Sequence, residues 1–383
     1  MPEVLIVGAG PVGAWTAAEL AKRHEVLLVE EHAEIGRPVQ CAGLVAPRVL
    51  EMTSAQDCVL NRLRGAVITF PAGGELEFAA KECKAVVVDR ARLDKHLVER
   101  AVDAGATLRT STRFAGRRQG TCLLKTVRGT QEITPKVLVG ADGYRSAVAA
   151  VTGLPPCRDV VRGVEVDVAQ RMEDQDRVRV LLGARVAPGF FAWAIPCGDF
   201  SRVGLCVREG APSPSRYLEK AMELAGVRGK VLARYSGQIP LGARQRTCDD
   251  GVLVVGDAAG QAKPISGGGV YTGMVAGGCA AQAIDLALRN GDVSRRSLSL
   301  YERLWRAELG RELDNGYRAR RILLAMKDAK MDRAGALLQE DKVRAVLGSG
   351  DIDHPMELVP RLLRAAPGLM TLLPMALRPL LFE

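Results

Sequence analysis

Aromatic residues are scarce: 7 Phe, 6 Tyr and 3 Trp make up 4% of the 383 residues. A stacking platform for single-stranded nucleic acid needs more rings near basic residues than this. Nine cysteines are present, but none are spaced C-x-x-C, and Cys197 and Cys206 are the nearest pair. Zinc-finger and ferredoxin-type cluster spacings are thereby excluded. The formal charge of +9 comes from 53 Lys and Arg against 44 Asp and Glu, yet no Lys/Arg block concentrates it. Nucleic acid is excluded as a partner on that pattern; an anionic lipid, a phosphate-bearing substrate or an acidic redox protein stays open. No uninterrupted apolar run of ~20 residues exists in the Leu/Met-rich C-terminal stretch, because Arg361, Arg364 and Arg378 break it. Nor does a charged leader precede the first apolar run, so the chain reads as cytoplasmic, with reduced thiols.

What is present is a full core and a surplus of glycine. The composition is 48% hydrophobic and 25% charged, which fits a globular protein, and the length suggests roughly two to three domains. The 41 glycines exceed the roughly 27 expected at ~7% usage. They cluster in short runs without a period, so collagen-like and low-complexity readings fail and backbone geometry must be their purpose.

The first run supplies that purpose. Val4–Val7 is an apolar strand, followed by Gly8-Ala9-Gly10-Pro11-Val12-Gly13, a helical stretch over residues 14–23, and a second apolar strand, Val26–Val29, ending at Glu30 and Glu31. This order predicts a dinucleotide site. Gly8 permits the tight turn, Gly10 lets the backbone approach a pyrophosphate, and Gly13 lets helix and strand pack closely. The helix N-terminus offers free N–H groups to phosphate, and Glu30 can accept from ribose hydroxyls, which favours FAD or NAD over NADP.

The same design recurs. Ala85–Val88 reads as a strand leading to Asp89-Arg90-Ala91-Arg92 and a helix with Leu93, Leu97, Ala101 and Ala104 on one face. Residues 137–139 run into Gly140-Ala141-Asp142-Gly143, and residues 252–255 into Gly256-Asp257-Ala258. Strand ends closed by an acid and glycine suggest several C-termini converging on one ligand. After Ala262-Lys263-Pro264-Ile265-Ser266, the run Gly267-Gly268-Gly269 precedes Val270, Tyr271 and a long helix to about Asn290. Glycines there let the main chain lie against a flat ring, and the positive helix end would stabilise an anion.

These turns resemble the signatures of the p-hydroxybenzoate-hydroxylase-like class of FAD enzymes: an N-terminal G-x-G-x-x-G, a central Asp-Gly matched by Asp142-Gly143, and a late Gly-Asp matched by Gly256-Asp257. The resemblance spans residues 4 to about 290 and implies FAD, with Asp257 near its ribityl chain or ribose. Two further segments narrow it. Arg37-Pro38-Val39-Gln40-Cys41-Ala42-Gly43 resembles the P-x-x-C-x-G segment of geranylgeranyl reductases, and Phe191-Ala192-Trp193-Ala194-Ile195-Pro196 resembles their Y/F-x-W-x-F-P signature. In the second, Phe191 and Ile195 replace the commoner Tyr and Phe and keep the segment apolar.

The resemblance, to archaeal-type geranylgeranyl or digeranylgeranylglycerophospholipid reductases, implies the following. The fold is α/β: a discontinuous Rossmann-type FAD-binding domain (1–64, 89–156 and 241–292), an inserted antiparallel-sheet substrate domain (65–88 and 157–240) and a helical C-terminal region (293–383). The cofactor residues are Gly8, Gly10, Pro11, Val12, Gly13, Glu30, Glu31, Arg37, Cys41, Ala42, Gly43, Arg92, Ala141, Asp142, Gly143, Gly256, Asp257, Ala258, Pro264, Gly267, Gly268, Gly269 and Val270. Phe191, Trp193, Ile195 and Pro196 would contact a geranylgeranyl lipid, with Cys41 as a catalytic candidate; Tyr271 is a second candidate from its place beside the glycine run alone, where packing is the other reading. Residue types alone keep two blander readings: Cys41 as a small buried hydrophobe and the Phe191–Trp193–Ile195 alternation as ordinary core.

The reaction implied is saturation of C=C bonds, by hydride from reduced flavin N5 with protonation of the other carbon. A hydroxylase on the same scaffold and a non-catalytic FAD-bearing lipid-binding or electron-transfer protein are the alternatives. No second G-x-G-x-x-G offers a nicotinamide domain, so electrons would come from ferredoxin, a reduced deazaflavin or transient NAD(P)H. The basic C-terminal region is expected either to cap the protein's own core or to contact the inner face of the membrane peripherally.

Overall fold

The computed structural model describes residues 1–372; residues 373–383, which include Pro374, Arg378 and Pro379 of the C-terminal stretch, lie outside the described part. Two sheets carry the architecture. The first has six strands in the order Cys248–Asp249, Val252–Val254, Val137–Gly140, Val4–Val7, Val26–Val29 and Thr107–Arg109, parallel except at the Cys248–Asp249 edge. Its central strands are buried on both faces, which is why they read as continuous apolar runs. Val4, Ile6, Val26 and Leu28 pack on one side with the helices Pro11–Ala21, Arg90–Asp103 and Val270–Arg289. Leu5, Val7, Leu27 and Val29 face the other way, onto Phe114, Cys122, Leu124 and Ile133 of a three-stranded antiparallel sheet.

The second sheet has seven strands, ordered Lys230–Leu241, Asp159–Ala169, Ser201–Arg208, Ala192–Pro196, Arg177–Leu181, Gly65–Thr69 and Glu75–Ala79. It is antiparallel except where Arg177–Leu181 runs parallel to Gly65–Thr69. One face, with Val164, Val166, Val168, Val203, Leu205 and Val207, is covered by the helix Ser215–Leu224 through Leu218 and Ala221. The opposite face, with Gly163, Glu165 and Asp167, turns toward Gln40, Ala42 and Ala262.

One strand belongs elsewhere than expected. Ala85–Val88, assigned with residues 65–84 to the large sheet, instead pairs with Leu44–Val45 and Val59–Leu63 in a separate three-stranded sheet. The reason is local: Asp89, which follows it, caps the helix Arg90–Asp103 by accepting from the Ala91 and Arg92 N–H groups, and this ties the strand to the cofactor half.

The C-terminal region folds back over the chain's own core. Arg295–Trp305 and Arg311–Ala325 are joined through a π-helical turn, Arg306–Gly310, and Tyr301 and Trp305 are fully buried. The Tyr301 hydroxyl donates to the Val254 carbonyl (2.8 Å) and accepts from Gln261 (2.9 Å). Among the described residues no helix is long and apolar enough to cross a membrane.

Candidate functional site

Glycine geometry builds the cradle at the first strand. A side chain at Gly8, whose φ is +101°, would meet the Ala141 carbonyl oxygen at 2.4 Å, and one at Gly13 would meet the Gly8 carbonyl oxygen at 1.9 Å. These two glycines therefore serve turn and packing. Gly10 differs, since nothing lies within 4 Å of where its Cβ would stand. That open space sits at the N-cap of the helix Pro11–Ala21, which no side chain caps. Glu30 meets the cradle, with Oε2 accepting from the Ala9 N–H (3.0 Å) and Oε1 from the His32 N–H (3.0 Å).

The other glycine-acid turns converge here. Ala141 and Asp142 close against Gly8, and Gly256 packs on Val12. Asp142 accepts from the Val148 N–H through Oδ2 (3.1 Å), while its buried Oδ1 has no partner among the described residues. Asp257 Oδ1 lies 3.1 Å from the Cβ position of Gly269, the N-cap of the helix Val270–Arg289, again without a side-chain cap. Burial pushes the Asp257 carboxyl up to about 6, with Arg90 pulling the other way. An orphaned acid oxygen, an open glycine N-cap and a second uncapped helix start fit the pyrophosphate and sugar hydroxyls of a dinucleotide.

The Cys41 loop forms a third side. Cys41 Sγ accepts weakly from the Gly43 N–H (3.4 Å), and Gly43, at φ +72°, leaves room for the Val88 carbonyl, 2.4 Å from its Cβ position. Arg202 reaches this corner, and so does Arg90. Arg90 is paired through two bonds with Asp94 (3.1 Å each). Burial opposes its charge, but Asp94 and Cys41 outweigh that and raise its pKa. Arg90 was not among the sequence candidates; Arg92 was, and its guanidinium instead pairs with Asp57 (3.0 Å) at the surface. The helical i,i+4 spacing of Arg90 and Asp94 was the available signal. Arg37 and Glu31 are exposed, with Arg37 nearest Glu34.

The glycine loop, residues 262–269, is held by the C-terminal region. Lys263 Nζ donates to the buried Asp353 Oδ1 and to the carbonyl of half-buried Ile352 (2.7 Å each), both in the C-terminal loop. Pro264 packs beside Gly316, and Gly268 lies over the Lys263 stem. Tyr271 sits in the first turn of the helix with Arg48 over its ring (5.1 Å to the centroid) and His354 at its edge (6.0 Å). Across from the loop, the Cβ position of Gly267 is 3.0 Å from Ile239 and 3.4 Å from Phe190.

The apolar candidates divide. The strand begins at Ala192, because Gly189, at φ +80°, turns the chain just before it. Phe191 therefore precedes the strand, stacked on Phe190 (4.4 Å) and edge-on to Trp193 (5.9 Å). Trp193 is half-buried, its ring lying over Gly204. Ile195 is spent on a core with Leu63, Ala85 and Val87, and Pro196 is buried beside it. Trp193 and Ile195 thus share one strand face, both against the core of Leu63, Ala85 and Val87, whereas Phe191 lies before the strand.

Cradle, converging acids and glycine loop define a flavoprotein of the Rossmann type, and the chain matches the FAD binding domain family over residues 1–307. Its cofactor is FAD. Within that class it belongs to the digeranylgeranylglycerophospholipid reductase family. It is 33% identical over 350 residues to digeranylgeranylglycerophospholipid reductase 2 of Methanothermobacter thermautotrophicus, covering 86% of this chain and 90% of the relative. It is 32% identical over 355 residues to digeranylgeranylglycerophospholipid reductase of Methanocaldococcus jannaschii, covering 88% and 90%. The fold is also that of a geranylgeranyl bacteriochlorophyll reductase-like protein from Thermoplasma acidophilum, with TM-score 0.85 and 23% identity, covering 96% of this chain and 99% of that one.

Proposed function

We propose that the chain is an FAD-dependent reductase that saturates C=C bonds of geranylgeranyl chains in archaeal-type membrane lipid precursors. The observation that carries the reading is the meeting of Gly267 with Phe190 and Ile239: an apolar wall stands directly against the glycine loop expected to hold the flavin ring. FAD, when bound, supplies the hydride. The chain's own residues do the rest. Gly10 and the uncapped start of the helix Pro11–Ala21 receive the pyrophosphate, Asp142 and Asp257 accept from sugar or ribityl hydroxyls, and the Gly269 helix start faces the electron-rich edge of the ring. Phe190, Phe191 and Trp193 exclude water from the alkene, which an unactivated double bond requires.

The reductant is an external donor, a ferredoxin, a deazaflavin or NAD(P)H, and the +9 charge favours an acidic donor or an anionic lipid surface. Peripheral contact with anionic vesicles is expected to weaken as salt rises, by co-sedimentation. Anaerobic incubation of dithionite-reduced protein with a geranylgeranyl glycerolipid tests the activity. Flavin reoxidation with a mass gain of two hydrogens per bond supports it. A product gaining oxygen only in air with NAD(P)H would replace it with the hydroxylase reading.

A further inference from the structure

Reduction of an isolated alkene needs a proton as well as a hydride, and the sequence offers no carboxyl for it, only Cys41 and Tyr271 as candidates. The face of the large sheet that adjoins Gln40, Ala42 and Ala262 holds one. Strand register places Trp193, Gly204, Glu165 and Tyr235 in one row across four strands. Because Gly204 has no side chain, the Trp193 ring lies in the space between, 2.5 Å from that Cβ position, and its Nε1–H donates to Glu165 Oε2 (2.7 Å). In the adjoining row Arg202 and Asp167 form a two-bond pair (2.7 and 3.0 Å). The remaining Arg202 nitrogen donates to the carbonyl of Ala42, next to Cys41 (2.9 Å). The row therefore abuts the Cys41 loop.

Counting charges in this cluster leaves one acid over. Arg202 is satisfied by Asp167, whose Oδ2 also accepts from the Tyr235 hydroxyl (3.2 Å). Glu165 is 5% exposed, and its Oε1 stands 3.7 Å from Arg202 Nε without a hydrogen bond among the described residues. Two buried carboxyls facing a single guanidinium keep one proton between them. The other groups facing Glu165 are Trp193 and the buried thiol of Cys206, neither of which brings a positive charge. Burial accordingly pushes the Glu165 carboxyl up to about 7, against the pull of Arg202 and the Trp193 bond. An acceptor for Trp193 alone would require only a neutral amide, so a carboxyl here costs desolvation that packing does not need.

We propose that Glu165 is the proton donor for alkene reduction, a role that rests on the reductase reading above. One alkene carbon gains hydride from the reduced flavin, which leaves oxidised by two electrons. The other gains the proton from the Glu165 O–H, and the carboxylate left behind is held by Trp193 and Arg202 until solvent restores its proton.

E165Q is the test, because it keeps an acceptor for Trp193. Expected are a loss in kcat of about 10²- to 10⁴-fold, unchanged lipid affinity and, at pH ~5 where Glu165 is neutral in the folded chain, an unchanged unfolding midpoint. Wild-type kcat should fall as pH rises through about 7, a limb retained in E165D, absent in E165Q and displaced upward in W193F, where the carboxylate loses a donor. Infrared spectra of the FAD-loaded protein, without substrate, should show a protonated-carboxyl stretch that titrates near neutrality and is missing in E165Q. E165Q with wild-type kcat and the same alkaline limb, or a carboxyl band that never titrates, overturns the proposal alone. A wild type that reduces no geranylgeranyl lipid overturns the reductase reading, and the proposal with it.

Discussion

At the residue scale, three glycines in one turn do different work, and substitution separates them. Gly13→Ala must displace the backbone carbonyl of Gly8, so overpacking should cost about 1–3 kcal/mol of stability, read from urea unfolding. Gly10→Ala meets no protein atom; it should leave unfolding nearly unchanged and weaken FAD by at least ~10-fold, since its methyl occupies the ligand's approach. Equal effects of the two substitutions on stability would remove the distinction between packing and ligand glycines. Arg202 has a different kind of importance. Arg202→Leu strands Asp167 in a buried site and should cost about 3–5 kcal/mol, measured by the same unfolding.

At the element scale, the glycine loop, residues 262–269, proposed to meet the flavin, is fixed by a distant loop. Lys263 and Asp353 are both buried, and Arg48 adds pairs to Asp351 and Asp353. Asp353→Ala should destabilise the fold by about 3–5 kcal/mol and speed FAD dissociation, followed by flavin fluorescence. The double variant Lys263→Met, Asp353→Leu should recover part of the stability, because removing both charges removes the desolvation cost. No recovery in that double variant would mean that the pair does more than neutralise itself. These contacts mark the limit of sequence reading. Strands ending in glycine and acid were legible because local geometry demands those residue types at fixed places in the turn. The Lys263–Asp353 pair joins residues 90 positions apart, and no periodicity reports such a contact. Glu165 was likewise hidden, since its row depends on the register of four strands. Residues 113–133, which form a polar-faced sheet behind the first strands, lack the long apolar runs that revealed the others.

At the scale of the whole molecule, the site lies where two sheets and a C-terminal wrap meet, and burial there leaves several acids short of positive partners. Glu165 and Glu312 are each held up to about 7 and Asp257 up to about 6, in every case first by burial. Unfolded carboxyls titrate near ~4, so between that pH and neutrality the folded chain binds more protons than the unfolded one. Stability must therefore fall as pH rises through this window, the reverse of the usual carboxylate contribution. Glu3, Asp285 and Asp351 are shifted downward and act only in stronger acid, where their protonation removes stability. The FAD-loaded protein should accordingly be most resistant to urea near pH ~5 and lose midpoint toward pH ~8. Glu165→Gln and Glu312→Gln should each flatten that decline by an amount of order 2–3 kcal/mol, because the amide carries no charge to bury at the alkaline end. A wild-type midpoint that rises steadily from pH ~5 to ~8 would show instead that the buried acids are ionised and paired in the folded state, and that solvent or FAD reaches them.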